Sequence, residues 1–283
     1  MSVTTDTAAA SAYQHTIADY WNAEKNPVNH ELGAVDGLFH HHYGIGPVNW
    51  DNITDGPTRH DSVVQELHRL ETDQGAYLIS QLGALTSESR ILDAGCGRGA
   101  TSIMAAERFG CTAEGITLSA EQAKDANRSA AARGVAERAR YQVANMLQTP
   151  FADGSFDAIW NNESTMYVEL GLLFAEYRRL LKPGGRYVTI TGCINDGYGR
   201  ASRAVSMINA QYACDVHRRS EYFKQMTANR LVPVAVTDLT QATLPYWKLR
   251  TTDPELTTGV EEHFIDAYET GAFQYLMIAA DRV

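Results

Sequence analysis

A carboxylate stands at the end of an apolar run in the segment AIWNNESTMYVEL, residues 158–170, where Glu163 follows Asn161 and Asn162. The run is typical of a buried strand that leads into a turn. A carboxylate placed there can act as a general base. It can equally begin the following helix, where the helix dipole favours negative charge. The segment alone does not separate these two roles.

A second candidate site is the glycine-rich segment ILDAGCGRG, in which a strand ends at Asp93 and leads through Gly95, Gly97 and Gly99 into a helix. Glycines let a backbone approach a ligand closely at the carboxyl ends of parallel strands. The dinucleotide fingerprint G-x-G-x-x-G is absent from this segment. The loop therefore predicts a site for another ligand, or a turn with a purely structural role.

Short β-rich runs alternate with helical segments from Arg90 onward, and these elements must position both Glu163 and the glycine-rich loop. The pattern predicts an α/β, Rossmann-like core over residues 86–283, with a mostly parallel doubly wound sheet. A long insertion after Gly192 predicts a lid at about 193–229. The segments LVPVAVTDLT and FQYLMIAADRV predict two final strands, paired antiparallel at an edge.

The segment before this core predicts a cap that helps to bind the substrate, over residues 13–85. Apolar residues at helical spacing in RHDSVVQELHRLETDQGAYLISQL predict a helix or a helix pair. Residues 1–12 are small and polar, and we expect them to be disordered.

Composition limits the possible partners of the chain. The 283 residues carry a formal net charge of −10 and a pI near 5.3, which argues against a nucleic-acid partner. The cysteines Cys96, Cys111, Cys193 and Cys214 show no paired spacing, which fits a reducing cytoplasm. We expect neither a secretory leader nor a membrane span.

The glycine loop together with EGITLSAEQ resembles class I S-adenosylmethionine-dependent methyltransferases, particularly the branch that acts on lipids and alkenes. The segment LLKPGGRYV is similar to the one that leads into the fifth strand of that class. This resemblance implies that Thr117 and Gln122 hold the ribose and that Asn145 and Met146 contact the adenine. It also implies that Asp93, Gly95, Gly97 and Gly99 form the rest of the cofactor site.

The acceptor is indicated by the residues after the fourth strand. Amine methyltransferases often carry N-P-P-Y or D-P-P-Y there, whereas this chain has N-N-E-S. An alkene acceptor leaves a carbocation after it attacks the methyl group, and the cation needs a base and electron-rich ring faces. Glu163 and the neighbouring aromatics meet both needs, which favours its role as a base.

Several long segments, among them WNAEKNPVN, GLFHHHYGIG, WNNESTMYV and DLTQATLPYWKLR, resemble the geranyl diphosphate C-methyltransferases of bacterial 2-methylisoborneol biosynthesis. The resemblance runs from about Tyr20 to Val283. It implies methylation of geranyl diphosphate at C2, a cation at C3 and loss of the C2 proton. It also implies that Glu163 is the base, that Tyr43 lies near the diphosphate and the base, and that Tyr212 presents its ring to the cation.

The same resemblance implies further properties of the enzyme. Mg²⁺ would be held mainly by the diphosphate and water, the enzyme would be a homo-oligomer, and its product would pass to a terpene cyclase. Some family members carry Phe in place of Tyr212. Members commonly carry Trp where this chain has Ile194, and sometimes where it has Ala204. The smaller residues leave open a longer or differently methylated prenyl diphosphate.

The remaining candidates for substrate binding are polar. The adjacent His40, His41 and His42 point in different directions on any regular element, which argues against one shared metal ion. Some of them, His42 in particular, would instead contact a diphosphate or satisfy buried backbone groups. The other candidates for substrate binding are Asn29, Asn161, Arg200 and Arg203.

Rival functions remain at this point. The nearest is C-methylation of isopentenyl or farnesyl diphosphate, or of geranyl diphosphate at another carbon. An O- or N-methyltransferase would have no use for a base against a carbon-bound proton. A non-catalytic subunit that binds a prenyl chain or the cofactor would not need Glu163 together with a complete cofactor site.

Overall fold

The computed structural model describes residues 12–23 and 27–283. Of the N-terminal segment expected to be disordered, residues 1–11 lie outside the described residues, and Ala12 begins a helix. The helices are α1 (Ala12–Asn22), α2 (Pro27–Gly33), α3 (Arg59–Ser80), α4 (Ala100–Phe109), α5 (Ala120–Ala132), α6 (Leu170–Leu180), α7 (Arg203–Tyr212), α8 (Arg219–Ala228), α9 (Thr240–Arg250) and α10 (Glu261–Glu269).

A seven-stranded sheet runs through the middle of the molecule, in the order β3-β2-β1-β4-β5-β7-β6. Its strands are β1 (Arg90–Ala94), β2 (Thr112–Thr117), β3 (Ala139–Val143), β4 (Phe156–Asn162), β5 (Leu181–Ile194), β6 (Leu231–Asp238) and β7 (Phe273–Arg282). Strands β1 to β5 pair in parallel, whereas β7 runs antiparallel to both β5 and β6. The predicted α/β fold is confirmed. The two final strands form the predicted antiparallel pair at one edge of the sheet, with β6 outermost and β7 between β5 and β6.

Hydrophobic layers cover both faces of the sheet. Ile91 and Trp160 belong to one buried cluster, while the adjacent Leu92 and Ile159 belong to another. Side chains of a strand alternate between faces, so this division follows from the pleat. The strands are apolar on both faces because helices cover both, as in other parallel sheets.

Helix α3 covers the first of these faces as one continuous helix of 22 residues, rather than as a pair. Its apolar residues Val63, Leu67, Leu70 and Leu78 recur at helical spacing and are fully buried. The helix therefore fixes the predicted cap segment to the core and brings Gln74 close to the carboxyl end of β4.

The chain between β5 and β6 forms the predicted insertion. It contains α7 and α8, and the backbone N–H of Ile194 donates to the carbonyl of His217 at 2.9 Å, which joins the two ends of the α7 region. None of the helices in the described part of the chain is both long and apolar enough to cross a membrane.

Candidate active site

An open cavity of about 730 Å³ lies at the carboxyl ends of β1, β2 and β4. Such a crevice is the usual ligand site of a parallel sheet. Six of the residues predicted to bind the cofactor line it: Gly95, Gly97, Thr117, Gln122, Asn145 and Met146. Helix α1 contributes the opposite wall with Gln14, Ile17 and Trp21.

The glycine loop is shaped by close packing as well as by the cavity. Gly95 and Gly99 adopt φ values of +81° and +82°, which strain other residues. A Cβ at Gly95 would also lie 2.4 Å from the side chain of Ser164, and one at Gly99 would lie 2.6 Å from the Tyr141 ring. Gly95 thus borders the cavity, whereas Gly99 admits Tyr141 behind it.

Thr117 and Gln122 are held together at the start of α5. The Thr117 hydroxyl donates to Gln122 Oε1 at 2.8 Å and accepts from the backbone N–H of Ser119 at 3.1 Å. Ser119 caps the helix by accepting from the Gln122 N–H at 3.1 Å. These bonds fix both side chains at the cavity wall.

Asp93, which was predicted to bind the cofactor, does not line this cavity. It lines a smaller space behind the loop, together with Gly95 and Gly97. Burial raises the pKa of its carboxyl to about 7. Its contact with the cofactor stays a prediction.

A second cavity, of about 630 Å³, adjoins the first and has mainly aromatic and aliphatic walls. Residues from α7, α10 and β7, such as Ile208, Phe264 and Phe273, form its apolar part. Four residues line both cavities: Trp21, His41, Glu163 and Tyr167. A ligand in one cavity would therefore share its walls with a ligand in the other.

Glu163 follows β4 in the left-handed backbone conformation, with a φ of +52°. Its backbone N–H donates to the Ile190 carbonyl at 3.0 Å. The next α-helix, α6, begins at Leu170 and is capped by Glu169, whose side chain accepts from the Gly171 N–H at 3.0 Å. Glu163 is therefore not the residue that caps the following helix.

The Glu163 carboxyl is buried where the two cavities meet. Burial raises its pKa to about 8, and the nearby Tyr275 hydroxyl and Gly192 backbone N–H oppose that shift. Its Oε1 atom is buried and has no hydrogen-bond partner. Unpaired buried carboxylate oxygens are costly, and such perturbed groups concentrate at functional sites.

Asn161 takes a different role from the predicted one. Its amide nitrogen donates to the Ala94 carbonyl at 2.7 Å and to Ser164 at 2.8 Å. Its amide oxygen accepts from the hydroxyls of Tyr177 at 2.8 Å and Tyr187 at 3.0 Å. The side chain has no polar atom left for a substrate, so it fixes the turn before Glu163 instead.

Tyr43 and Tyr212 come together in the second cavity, although they lie far apart in the sequence. Both side chains line this cavity. The Tyr43 ring centroid lies 4.5 Å from that of Trp247 and 5.0 Å from that of Phe264. Burial raises the pKa of Tyr212 to about 12, so both residues present neutral rings.

The histidines form a neutral cluster and do not gather around a metal. His42 Nε2 lies 3.1 Å from His40 Nδ1, and His42 Nδ1 lies 3.4 Å from the Tyr43 carbonyl oxygen. Burial lowers the pKa of His42 to about 4 and that of His41 to about 3. Within residues 12–23 and 27–283, no group of three or more His, Cys, Asp or Glu could hold a metal ion.

The remaining predicted residues are divided between the cavity and the surface. Asn29 lines the second cavity. Arg203 is exposed, and Arg200 is exposed with its guanidinium against the Tyr198 side chain. Ile194 and Ala204 pack into the hydrophobic cluster beside the cavity and are not among its lining residues.

Sequence reasoning missed Arg250, which lines the second cavity and is nearly inaccessible to solvent. It forms an ion pair with the buried Glu261 at 2.9 Å and donates to the Leu256 carbonyl. A signal was present: Arg250 follows Tyr246 and Trp247 at helical spacing, so it lies on the same buried face of α9. A buried guanidinium at a cavity wall is suited to an anionic ligand.

Several known proteins of similar sequence and fold are named geranyl diphosphate methyltransferases. Residues 92–189 match the family model described as a methyltransferase domain. The chain is 61% identical over 276 residues to a geranyl diphosphate 2-C-methyltransferase of Saccharopolyspora erythraea, covering 97% of this chain and 96% of the relative.

Solved structures agree with that result. One is geranyl diphosphate C-methyltransferase from Streptomyces coelicolor in complex with Mg²⁺, geranyl-S-thiolodiphosphate and S-adenosyl-L-homocysteine. It superposes with a TM-score of 0.95 at 53% identity, covering 97% of this chain and 99% of that one. A geranyl diphosphate methyltransferase in complex with geranyl diphosphate and sinefungin superposes with a TM-score of 0.94, also at 53% identity, covering 96% and 100%.

Proposed function

The chain belongs to the geranyl diphosphate 2-C-methyltransferase family, and from that premise we propose that it methylates C2 of geranyl diphosphate, with Glu163 as the base. The observation that carries the proposal is the position of Glu163. It lines both cavities, and its buried Oε1 has no hydrogen-bond partner.

The first cavity fits S-adenosylmethionine. Gly95 and Gly97 line it with backbone alone, and Thr117 with Gln122 offers fixed polar atoms of the kind that bind a ribose. Asn145 and Met146 would flank the adenine. When it is bound there, the cofactor supplies a methyl group carried on a sulfonium sulfur.

The second cavity fits a prenyl chain because its walls are largely apolar and aromatic. Attack of the C2–C3 double bond on that methyl group would form the new bond at C2 while the bond from methyl carbon to sulfur breaks, and would leave a positive charge at C3. The rings of Tyr43 and Tyr212 would stabilise that charge. Glu163 would then accept the C2 proton, and the electrons of the C2–H bond restore the double bond.

Binding of the diphosphate by Arg250 and Asn29 would explain how a protein with a negative net charge binds an anionic substrate. Both line the second cavity, and a guanidinium matches phosphate oxygens. Mg²⁺ would be held through the diphosphate and water, as suits a hard ion that keeps its hydration. Ile194 and Ala204 do not border the cavity, so they give no specific support for a longer prenyl chain.

We propose further that the enzyme is a homo-oligomer that works in the cytoplasm and passes its product to a terpene cyclase. The edge strand β6 exposes Val232, Val234 and Val236, which a neighbouring copy could cover. The free thiols of Cys96, Cys111, Cys193 and Cys214 favour a reducing compartment. Light scattering of the purified protein tests the oligomeric state.

Product analysis tests the proposed reaction. The purified protein is incubated with Mg²⁺, S-adenosylmethionine and, separately, isopentenyl, geranyl or farnesyl diphosphate. The products are dephosphorylated and identified by gas chromatography with mass spectrometry. We expect 2-methylgeraniol from geranyl diphosphate, and a methylated product from another chain instead would overturn the assignment of the substrate.

A further inference from the structure

His41 lies where the cavities of the molecule meet. Its side chain lines the first and second cavities and also a third, of about 1000 Å³, which shares Asn29 and Tyr212 with the second. A Cβ at Gly97 would lie 3.4 Å from the His41 Cβ, so the histidine packs directly against the glycine loop. Neither the methyl transfer nor the proton transfer described above involves this histidine.

Contacts within the protein fix which ring nitrogen of His41 carries the proton. The Thr117 hydroxyl donates to Gln122 Oε1 at 2.8 Å, which orients the Gln122 amide. The amide nitrogen then lies 3.4 Å from His41 Nδ1. Burial and the nearby charge of Arg98 lower the pKa of His41 to about 3, so the ring is neutral at pH 7. Because an amide nitrogen can only donate, Nδ1 accepts and the ring proton lies on Nε2.

The Nε2–H group of His41 is a donor without an acceptor. No atom of the residues that the structure describes accepts from it, and Nε2 is shielded from solvent. A buried donor without a partner is costly, and most such groups in folded proteins have one. The cavities that His41 lines are filled by reactants during turnover, so the missing acceptor is expected on a reactant.

The surroundings of His41 favour an acceptor with negative charge. Arg98, which lines the third cavity with it, is buried and forms an ion pair with Asp125. Arg250 lines the second cavity with it. Glu163 borders the first two cavities, but burial raises its pKa to about 8, so it is mostly uncharged at pH 7. An N–H group beside buried guanidinium groups binds an anionic oxygen more strongly than a neutral one.

We propose that His41 is a ligand-binding residue that donates from Nε2 to an anionic oxygen of a bound reactant. The inference rests on the proposed function for the identity of the reactants. Two of them carry such an oxygen: S-adenosylmethionine in the carboxylate of its methionyl part, and geranyl diphosphate in its diphosphate. The contacts with Gly97 and Gln122 favour the carboxylate, because both residues line the first cavity.

Calorimetric binding to the wild type, His41→Phe and His41→Gln tests the proposal. The ligands are S-adenosyl-L-homocysteine, methylthioadenosine, and geranyl diphosphate with Mg²⁺ in the presence of saturating S-adenosyl-L-homocysteine. Methylthioadenosine keeps the adenine and the ribose but lacks the carboxylate, so it reports any disturbance of the ribose site through Gln122. Phenylalanine keeps a planar ring and loses both nitrogens, whereas the amide nitrogen of glutamine reaches the position of Nε2.

We expect His41→Phe to raise the Kd of S-adenosyl-L-homocysteine by about tenfold or more, and that of methylthioadenosine by no more than about twofold. His41→Gln should restore the affinity to within about threefold of the wild type. A similar rise in the Kd of geranyl diphosphate, with unchanged affinity for S-adenosyl-L-homocysteine, would place the anionic oxygen on the diphosphate instead.

The proposal is overturned if neither S-adenosyl-L-homocysteine nor geranyl diphosphate binds His41→Phe more weakly than the wild type. It is also overturned if methylthioadenosine loses as much affinity as they do, because a purely structural change would affect all of them. If His41→Phe does not fold, His41→Asn replaces it. The shorter amide of asparagine can still accept from Gln122 but does not reach the position of Nε2.

These affinities are measured without turnover, which separates this inference from the proposed function. If the wild type does not methylate geranyl diphosphate, the proposed function fails, whatever the affinities of His41→Phe. If the wild type methylates geranyl diphosphate and His41→Phe binds all ligands as the wild type does, only the role of His41 fails.

Discussion

At the scale of single residues, Glu163 must meet two opposing demands. The cation requires a dry site, and the same burial raises the pKa of the carboxyl to about 8. A base must be ionised, yet at pH 7 only about a tenth of a group with that pKa is ionised. A positive sulfonium in the adjoining cavity would lower the pKa when the cofactor is bound.

This balance predicts the pH profile of the wild-type enzyme. Because the protonated carboxyl cannot accept a proton, kcat/KM should rise with pH through an apparent pKa near 8 and level off above it. The rise of kcat should occur at lower pH, since the bound cofactor favours the ionised form. Initial rates from pH 6 to 10, at varied substrate and cofactor, measure both curves. A flat kcat/KM over this range would contradict the role of Glu163.

Two substitutions of Tyr212 separate the effect of its ring on catalysis from the effect of its hydroxyl. Tyr212→Phe keeps the ring and loses only the hydroxyl, so we expect kcat within about threefold of the wild type. Tyr212→Leu loses the ring face, and we expect kcat to fall by about tenfold or more. Comparable losses in the two variants would show that the hydroxyl, and not the ring, is what matters.

At the scale of elements, helix α1 forms a wall of the cofactor cavity and is held by side-chain contacts at both ends. Asn22 Oδ1 accepts from the Ser119 hydroxyl at 2.7 Å, at the start of α5. The hydroxyls of Tyr13 and Tyr20 donate to the carbonyls of Ala213 and Gln211, each at 3.1 Å, beside the end of α7. The helix thus joins the cofactor side of the site to the substrate side.

Asn22→Ala should therefore weaken binding of the cofactor. Loss of this side-chain bond, worth about 1 kcal/mol, predicts roughly a fivefold increase in Kd for S-adenosylmethionine by calorimetry, with little change in Tm. His15→Ala, at an exposed position of the same helix, serves as the control. Equal affinities for Asn22→Ala and the wild type would mean that α1 does not help to hold the cofactor.

Patterns along the chain account for part of this architecture. Glycines at strand ends and apolar periodicity predicted the parallel core, and the cofactor residues followed from the resemblance. Periodicity does not give the order of strands, so it could not predict that β7 lies between β5 and β6. The hydrogen bonds of Gln74 could not be predicted either, because its partners Asn162 and Tyr275 lie 88 and 201 positions away in the sequence. Arg250 is a functional candidate only because the fold buries it beside a cavity.

At the scale of the whole molecule, the burial of carboxyl groups makes the free energy of unfolding depend on pH. Glu71 is a buried residue of α3 that faces α9. The Tyr246 hydroxyl of α9 donates to its Oε1 at 2.7 Å, and its Oε2 has no partner. Burial raises the pKa of Glu71 from 4.5 to about 8, against the Tyr246 hydrogen bond and the Arg250 charge. The folded state thus holds this proton more tightly than the unfolded state. The resulting stability is complete below about pH 4.5 and is lost as the pH rises to about 8.

Glu71→Gln should remove this dependence because the amide stays neutral. We expect Tm of the variant to exceed that of the wild type by a margin that grows from pH 5 to pH 8, reaching about 3 °C or more, and then stays constant. Glu262→Gln, at an exposed position of α10, should match the wild type throughout. A margin that is the same at pH 5 and pH 8 would exclude the assigned pKa shift.

Deuterium placed at C2 of geranyl diphosphate tests the central claim most directly, because the proposed base removes the hydrogen at that carbon. Wild type and Glu163→Gln are compared with this substrate, Mg²⁺ and S-adenosylmethionine, and the products are analysed by mass spectrometry. We predict that the wild-type product gains a methyl group and loses the deuterium. We predict also that Glu163→Gln forms product at least about 100-fold more slowly while it binds the cofactor normally. Product that retains the deuterium, or a Glu163→Gln variant that works at the wild-type rate, would contradict the account.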